Sequence, residues 1–231
     1  MRLHRFFVQQ EIGDQDSVVI RDSDFFHQIK NVFRFTTGGQ IILFDNSGYE
    51  YHTLIASLEK GEVNCSIVSR KTSKGEPARE LHLFCSIIKK DKFEWILEKG
   101  TELGVSRFVP LLSDRSEKKD LNMERAQKIL IESAEQSGRT MVPMIAPIMN
   151  FEGALATDFP CFAFHPKADV FTVEHAGKIS PLGIFIGPEG GWTERELFLF
   201  KKHNIKIYSL GAQVLRAETA AVAITSLILL Q

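Results

Sequence analysis

The residues with the clearest chemical potential lie in two short loops near the C-terminal end of the chain. The first loop, Gly187 to Gly191, follows an apolar run of buried-strand type, Gly183 to Ile186. The second loop, Gly211 to Leu215, follows a similar run, Ile205 to Leu210. Adjacent glycines permit φ > 0 and leave no Cβ to block a ligand. Because open α/β sheets hold ligands at the carboxyl ends of strands, the two loops are predicted to form the walls of one pocket.

The loop sequences argue against a phosphate ligand. Gly-Pro-Glu-Gly-Gly lacks the lysine of a Walker loop and does not fit the G-x-G-x-x-G spacing of dinucleotide sites. The carboxylate of Glu189 would also repel a phosphate. From spacing alone, a second interpretation stays open, in which the glycines make a tight connection in an α/β fold and bind nothing.

The elements that would carry these loops alternate between strand and helix from Leu81 onward, which predicts a mostly parallel sheet covered by helices. Thr193 and Glu196 have the spacing of a capping box, so a helix is predicted to begin directly after the first loop. Residues 1 to about 70 are predicted to form a small β-rich domain. Lys71 to Glu80 is polar, contains glycine and proline, and is the predicted linker.

Bulk properties exclude several classes of protein. The chain has 231 residues and a net charge of -1, so any surface for nucleic acid would have to be local. Its three cysteines are far apart and fit neither a disulfide framework nor a zinc site, so they are predicted to be buried and reduced in a cytoplasmic protein. The N-terminus lacks a signal-peptide pattern, and the longest apolar run, Ala220 to Leu230, is too short to span a membrane. The helix predicted there has almost no polar face, which favours a homodimer.

Several long stretches resemble one known family. IGPEGGWTERE followed by SLGAQVLRAETA closely resembles the RsmE family of ribosomal RNA methyltransferases, of the SPOUT superfamily. KKDKFEWILEKGTELGVSRFVPLLSDRS, AEQSGR and, more weakly, the N-terminal HRFF are similar to further family motifs, so the likeness covers nearly the whole chain. Departures are mild. Gly100 stands where the family usually has alanine, and Asp114 where it usually has glutamate.

The resemblance implies a fold, a cofactor and a substrate. The fold would be a SPOUT α/β trefoil-knot methyltransferase domain at 73–231 behind a small PUA-like β-barrel domain at 1–72. The cofactor would be S-adenosyl-L-methionine and the product N3-methyluridine in 16S ribosomal RNA of the small subunit, made by a homodimer that needs no metal and no membrane. The residues placed around the cofactor by resemblance are Phe164, His165, Ile186, Gly187, Pro188, Glu189, Gly190, Gly191, Leu210, Gly211, Val214 and Leu215.

Three residues are candidates for the chemistry. Arg216 is expected to hold a uridine carbonyl and stabilise the charge that forms on deprotonation. Glu218 is expected to act as the base or to orient Arg216, although an acid in the first helical turn is also favoured by the helix dipole alone. Glu189 is a second candidate base, with a role in stabilising the turn as the alternative.

Residues for RNA binding are the least specific part of the prediction. Cations interleave with phenylalanines near the N-terminus, a pattern that binds RNA by stacking and phosphate contact. The competing interpretation is a buried phenylalanine core beneath solvated charges. The RNA-binding candidates are Arg5, His27, Arg34, Arg115 and Arg139. Two rival functions stay open: a superfamily enzyme acting on transfer RNA or on a ribose hydroxyl, and a non-catalytic RNA-binding assembly factor.

Overall fold

The computed structural model describes residues 3–59, 61–73 and 75–230, and it divides the chain into two compact units. The first unit comprises residues 1–76 together with 134–141, and the second comprises 77–133 together with 142–231. Lys74 of the predicted linker lies outside the described residues, and the linker's first two residues belong to a strand.

Within residues 3–59 and 61–73, five strands form one sheet in the order β1-β3-β4-β5-β2. β1 pairs parallel with β3, and the remaining pairs are antiparallel. A short helix, α1 (Ser23–His27), runs into a π-helical turn (Gln28–Val32). The strands are β1 (Arg5–Phe7), β2 (Ser17–Ile20), β3 (Gln40–Phe44), β4 (Tyr49–Glu59) and β5 (Glu62–Thr72).

A partly buried carboxylate explains why residues 134–141 group with the first unit. Glu76 accepts hydrogen bonds from Nε and Nη2 of Arg139 at 3.1 and 2.9 Å, and from the backbone N–H groups of Thr140 and Met141. Arg139 is only 5% exposed. Charge-assisted bonds of this kind, shielded from water, are among the stronger hydrogen bonds in proteins. They fix the segment that follows the helix containing residue 134.

The second unit is built on a sheet whose strands all pair in parallel. Among its described residues the order is β12-β10-β11-β6-β7-β8, with β9 also paired to β7. The strands are β6 (Leu81–Ser86), β7 (Arg107–Leu112), β8 (Met144–Ile145), β9 (Met149–Asn150), β10 (Cys161–Phe164), β11 (Leu182–Ile186) and β12 (Lys206–Tyr208). Every residue of β6, β10 and β11 is buried, and His82, at 9% exposure, is the most exposed residue that these strands contain. This is expected for strands covered on both faces.

Six helices connect these strands in the part of the chain that the structure describes. They are α2 (Lys90–Leu103), α3 (Met123–Ser137), α4 (Phe151–Ala154), α5 (Val173–Ala176), α6 (Glu194–Lys202) and α7 (Ala217–Leu229). The alternation of strand and helix confirms the predicted α/β class.

Local signals in the sequence set the helix ends, and the capping box at the start of α6 is the one predicted from the sequence. Gly104 ends α2 in the left-handed region, with φ of 104°. Asn122 accepts the backbone N–H of Arg125 at the start of α3, and Thr193 and Glu196 form a reciprocal capping box at the start of α6. The three cysteines are free and buried as predicted, and burial raises the pKa of Cys65 to about 11. No helix in the described residues is long and apolar enough to cross a membrane.

Gly100 in α2 has a packing reason for departing from the family's alanine. A Cβ on Gly100 would lie 2.7 Å from two ring carbons of Phe108, which is itself buried. Alanine would favour the helix by about 1 kcal/mol. However, forcing a methyl group into a filled core costs about 1–3 kcal/mol. The clash therefore outweighs the gain.

We expect Gly100→Ala to lower the free energy of unfolding, measured by chemical denaturation, despite its better helix propensity. A Gly100→Ala, Phe108→Leu double variant should lose less than the two single losses together, because the smaller side chain relieves the clash. A rise in stability for Gly100→Ala alone would contradict this packing account.

Candidate active site

A cavity of about 260 Å³ lies at the carboxyl ends of three neighbouring strands, β10, β11 and β12. Each strand end contributes one loop, and the start of α7 closes the remaining side. The parallel pairing places all three strand ends at one edge of the sheet, which is why loops distant in sequence meet there. The lining residues are Phe164, His165, Pro166, Ile186, Gly187, Pro188, Glu189, Gly191, Trp192, Leu210, Gln213, Val214, Leu215, Arg216, Ala217 and Ala220.

The two glycine loops thus face one cavity, as the sequence predicted. Of the residues predicted around a cofactor, all but Gly190 and Gly211 line it. Of the three catalytic candidates, Arg216 and Glu189 line the cavity and Glu218 does not. Sequence reasoning missed four lining residues, Pro166, Trp192, Ala217 and Ala220. Trp192 directly follows the glycine loop, so its position along the chain was the available signal.

Trp192 fixes the base of the first loop. Its indole is 3% exposed, and Nε1 donates a hydrogen bond of 3.0 Å to the carbonyl oxygen of Phe164 at the end of β10. The same ring lies against Gly187, where a Cβ would come within 3.0 Å of the indole. Glycine is therefore required at 187 for the backbone to pass this close. The bond joins the ends of β10 and β11 beneath the cavity.

A second set of contacts fixes the far end of the same loop. Glu196, fully buried, accepts the backbone N–H of Thr193 at 2.7 Å and that of Asp114, in the loop after β7, at 2.9 Å. Arg115 then donates from Nη1 to the carbonyl oxygen of Gly190 at 2.7 Å. The first loop is consequently held by the contacts of Trp192 and Glu196 and by the hydrogen bond from Arg115 in the loop after β7.

His165 lines the cavity directly after β10. Its Nδ1 is buried and has no hydrogen-bond partner among the described residues. Burial, and secondarily the charge of Lys167, lower the pKa of His165 below its ordinary value of 6.5, so the imidazole is neutral at pH 7. A neutral ring nitrogen can donate to or accept from a bound polar group.

The charged residues at the cavity include a lysine that the sequence did not single out. Lys92, in the first turn of α2, places Nζ 3.1 Å from Oε1 of Glu189 and 3.7 Å from Oε1 of Glu218. The hydrogen bond to Glu189 is the largest cause of a raised pKa at Lys92, so its ammonium stays charged. The sequence separation of 97 positions between Lys92 and Glu189 left no local signal for this contact.

Two of the predicted RNA-binding arginines are engaged elsewhere in the first unit. Arg5 pairs with Glu50 and its side chain is 13% exposed. Arg139 is held by Glu76, as described above. The structure therefore gives both residues a structural role that competes with RNA contact.

The other three RNA-binding candidates are exposed. His27 and Arg34 belong to the first unit, and Arg34 has a left-handed backbone with φ of 56°. Arg115 belongs to the second unit, where it reaches the first glycine loop. Their roles in RNA binding stay predictions.

The described residues contain no cluster of side chains suited to binding a metal ion. No group of three or more histidine, cysteine, aspartate or glutamate side chains there is arranged to hold a metal ion.

Comparison with known proteins gives a consistent result. A family model described as RNA methyltransferase domain matches residues 75–229. The chain is 32% identical to ribosomal RNA small subunit methyltransferase E of Bacillus subtilis, over 94% of this chain and 93% of that protein. A crystal structure of ribosomal RNA small subunit methyltransferase E from Neisseria gonorrhoeae, bound to S-adenosyl methionine, superposes with a TM-score of 0.89 at 27% identity, covering 97% of this chain and 96% of that chain. A Legionella pneumophila protein described as a methyltransferase, with bound S-adenosylmethionine, gives 0.87 at 26% identity, covering 98% and 96%.

The anchoring bond of Trp192 leads to a stability prediction. In Trp192→Phe, the buried carbonyl of Phe164 would lose its donor, and a buried polar group without a partner costs about 1–3 kcal/mol. We expect a loss of that size in the free energy of unfolding, measured by chemical denaturation. Trp95→Phe is the matched control, because Trp95 is 39% exposed and its replacement should cost about 0.5 kcal/mol or less. Equal losses in the two variants would contradict the anchoring role.

Proposed function

The chain belongs to the ribosomal RNA small subunit methyltransferase E family, and on that basis we propose that it methylates N3 of a uridine in the 16S RNA of the small subunit. It is an S-adenosylmethionine-dependent methyltransferase of small-subunit ribosomal RNA. The uridine, its N3 position and the roles of single residues are the proposal. The observation that supports it most directly is the placement of Arg216 and Glu189 on the wall of the cavity formed by the two glycine loops.

The cavity fits S-adenosylmethionine on chemical grounds. The apolar side chains of Phe164, Ile186 and Leu215 suit an adenine ring, and the glycine loops expose backbone donors and acceptors to it. His165 also lines the cavity and is the proposed partner for a polar group of the cofactor. When bound, the cofactor supplies a methyl group already activated by a positive sulfur.

The protein's remaining task is to hold the uridine and accept its N3 proton. Arg216 is exposed, lines the cavity and occupies the N-cap of α7. Its guanidinium and the positive end of the helix dipole both favour the negative charge that spreads onto the uracil carbonyl oxygens as the proton leaves. Arg216 is therefore the proposed electrostatic stabiliser.

Of the two candidate bases, the geometry favours Glu189 as the proton acceptor. Glu189 is a lining residue of the cavity, whereas Glu218 is not. A base must come within hydrogen-bond reach of the proton that it removes. In the proposed reaction Glu189 would take the N3 proton, and the electron pair of the N3–H bond would stay on N3 and form the bond to the methyl carbon. The carbon–sulfur bond of the cofactor would break, with its electron pair left on the sulfur of the departing thioether.

We expect Arg216→Ala to reduce methyl transfer by roughly 10²-fold or more while the protein stays folded, as for loss of one preorganised donor. The assay incubates unmodified small subunits with the full chain and S-adenosylmethionine, and measures modified nucleosides by mass spectrometry. Arg216→Lys should retain part of the activity because it keeps the charge. Near-normal turnover of Arg216→Ala would refute the role of Arg216, and a ribose-methylated product from the wild-type enzyme would refute the proposed N3 chemistry.

We further propose that the protein works as a cytoplasmic homodimer. Helix α7 packs against α2, yet Leu227 and Leu230 at its C-terminal end are 45% and 68% exposed. Exposed leucines at the end of an otherwise apolar helix suit a contact with a second subunit. The buried free cysteines are consistent with a reducing compartment.

The dimer is testable with charges placed on α7. By light scattering, the wild-type chain should have the mass of a dimer at micromolar concentration. A Leu227→Asp, Leu230→Asp double variant should shift toward the monomer, since two carboxylates would be buried in the contact. Phe198→Asp on α6, at a side chain 65% exposed, is the control and should remain dimeric. A monomeric wild-type protein would contradict the proposal.

A further inference from the structure

Lys92 occupies an unusual position for a lysine. It lies in the first turn of α2, where the helix dipole favours acids and disfavours cations. Its side chain is 24% exposed, whereas that of Lys90 in the same turn is 78% exposed. The helix alone therefore does not explain a partly buried lysine side chain at this position. The neighbouring carboxylates of Glu189 and Glu218 do explain it.

The contacts of Lys92 connect two elements of the site. Glu189 belongs to the first glycine loop and Glu218 to the first turn of α7. Nζ lies 3.1 Å from the first carboxylate and 3.7 Å from the second. The other oxygen of Glu218, Oε2, is buried and has no hydrogen-bond partner in the described part of the chain. Lys92 is thus a cation that compensates a poorly solvated acid, whose side chain is 13% exposed.

The backbone of the glycine loop does not depend on Lys92. Trp192 holds one side through the carbonyl of Phe164, and Arg115 holds Gly190. Removing the ammonium would leave these bonds in place. It would release only the carboxylate of Glu189 and leave it close to a second negative charge that repels it.

We propose that Lys92 is a positioning residue for methyl transfer, which aims the carboxylate of Glu189 into the cavity and neutralises the neighbouring Glu218. This role rests on the proposed function, in which Glu189 accepts the N3 proton. Glu218 then acts through Lys92 and does not touch the uridine. The formal charges at the site sum to zero over Lys92, Arg216, Glu189 and Glu218. The two cations therefore present no net positive charge that would repel the cationic cofactor.

The test compares Lys92→Met, Lys92→Arg and Lys90→Met in the full-length enzyme. Methylation of unmodified small subunits gives kcat and KM, and calorimetry gives the Kd for S-adenosylmethionine. We expect Lys92→Met to lower kcat on the order of 10²-fold, the effect of losing an aligned base, with the cofactor Kd within about threefold of wild type. Lys92→Arg should recover most of the loss because it restores the cation. Lys90→Met should match the wild-type enzyme.

Each outcome bears on a distinct statement. A kcat for Lys92→Met close to wild type would overturn the positioning role while leaving the proposed function intact. A weaker cofactor Kd that accounts for the whole loss, with no recovery by arginine, would also overturn it, because Lys92 would then only support the cavity wall. A wild-type enzyme that binds S-adenosylmethionine but does not methylate the small subunit would remove the proposed function, and this inference with it.

Discussion

The arrangement of the site depends on a carboxylate that water does not reach. Glu196 is fully buried, and its oxygens accept hydrogen bonds from the chain at Thr193 and at Asp114. A buried charge is tolerated only when its hydrogen-bonding capacity is filled, so these donors must stay in place for the fold to hold. One acid therefore determines where the first glycine loop ends, where α6 begins and where the loop after β7 lies. Because the first glycine loop lines the cavity, this acid holds one part of the cavity wall in place.

Electrostatics within the second unit is local, which the overall charge conceals. A net charge of -1 gives no hint of the charged cluster at the cavity, where two carboxylates and two cationic side chains lie close together. The positive charge of Arg216 is near enough to oppose the rise in the pKa of Lys92 caused mainly by Glu189. Balanced clusters of this kind contribute chemistry without contributing to bulk charge. Composition is consequently a weak guide to the function of this chain.

The accuracy of the sequence-based predictions followed the range of the interactions involved. The start of α6 at Thr193 depends on a few neighbouring residues, and it was predicted correctly. The meeting of the two glycine loops followed from a general property of parallel sheets, namely that strand ends share an edge. Lys92 was missed because its partners lie far along the chain, and so were the short strands β1 and β2, which exist only through their pairing. Both depend on tertiary contacts that leave no local pattern.

The grouping of residues 134–141 with the first unit has a consequence for how the chain can be divided. The polypeptide passes between the units after residue 76, after 133 and after 141, so a single cut in the polar segment around residue 76 does not separate them. A fragment beginning at Pro77 would contain Arg139 but not Glu76, whose carboxylate accepts the hydrogen bonds of the Arg139 guanidinium. A different module in place of residues 1–76 would therefore have to supply a carboxylate at the equivalent place. Inheritance of the two parts as one piece is the simpler route.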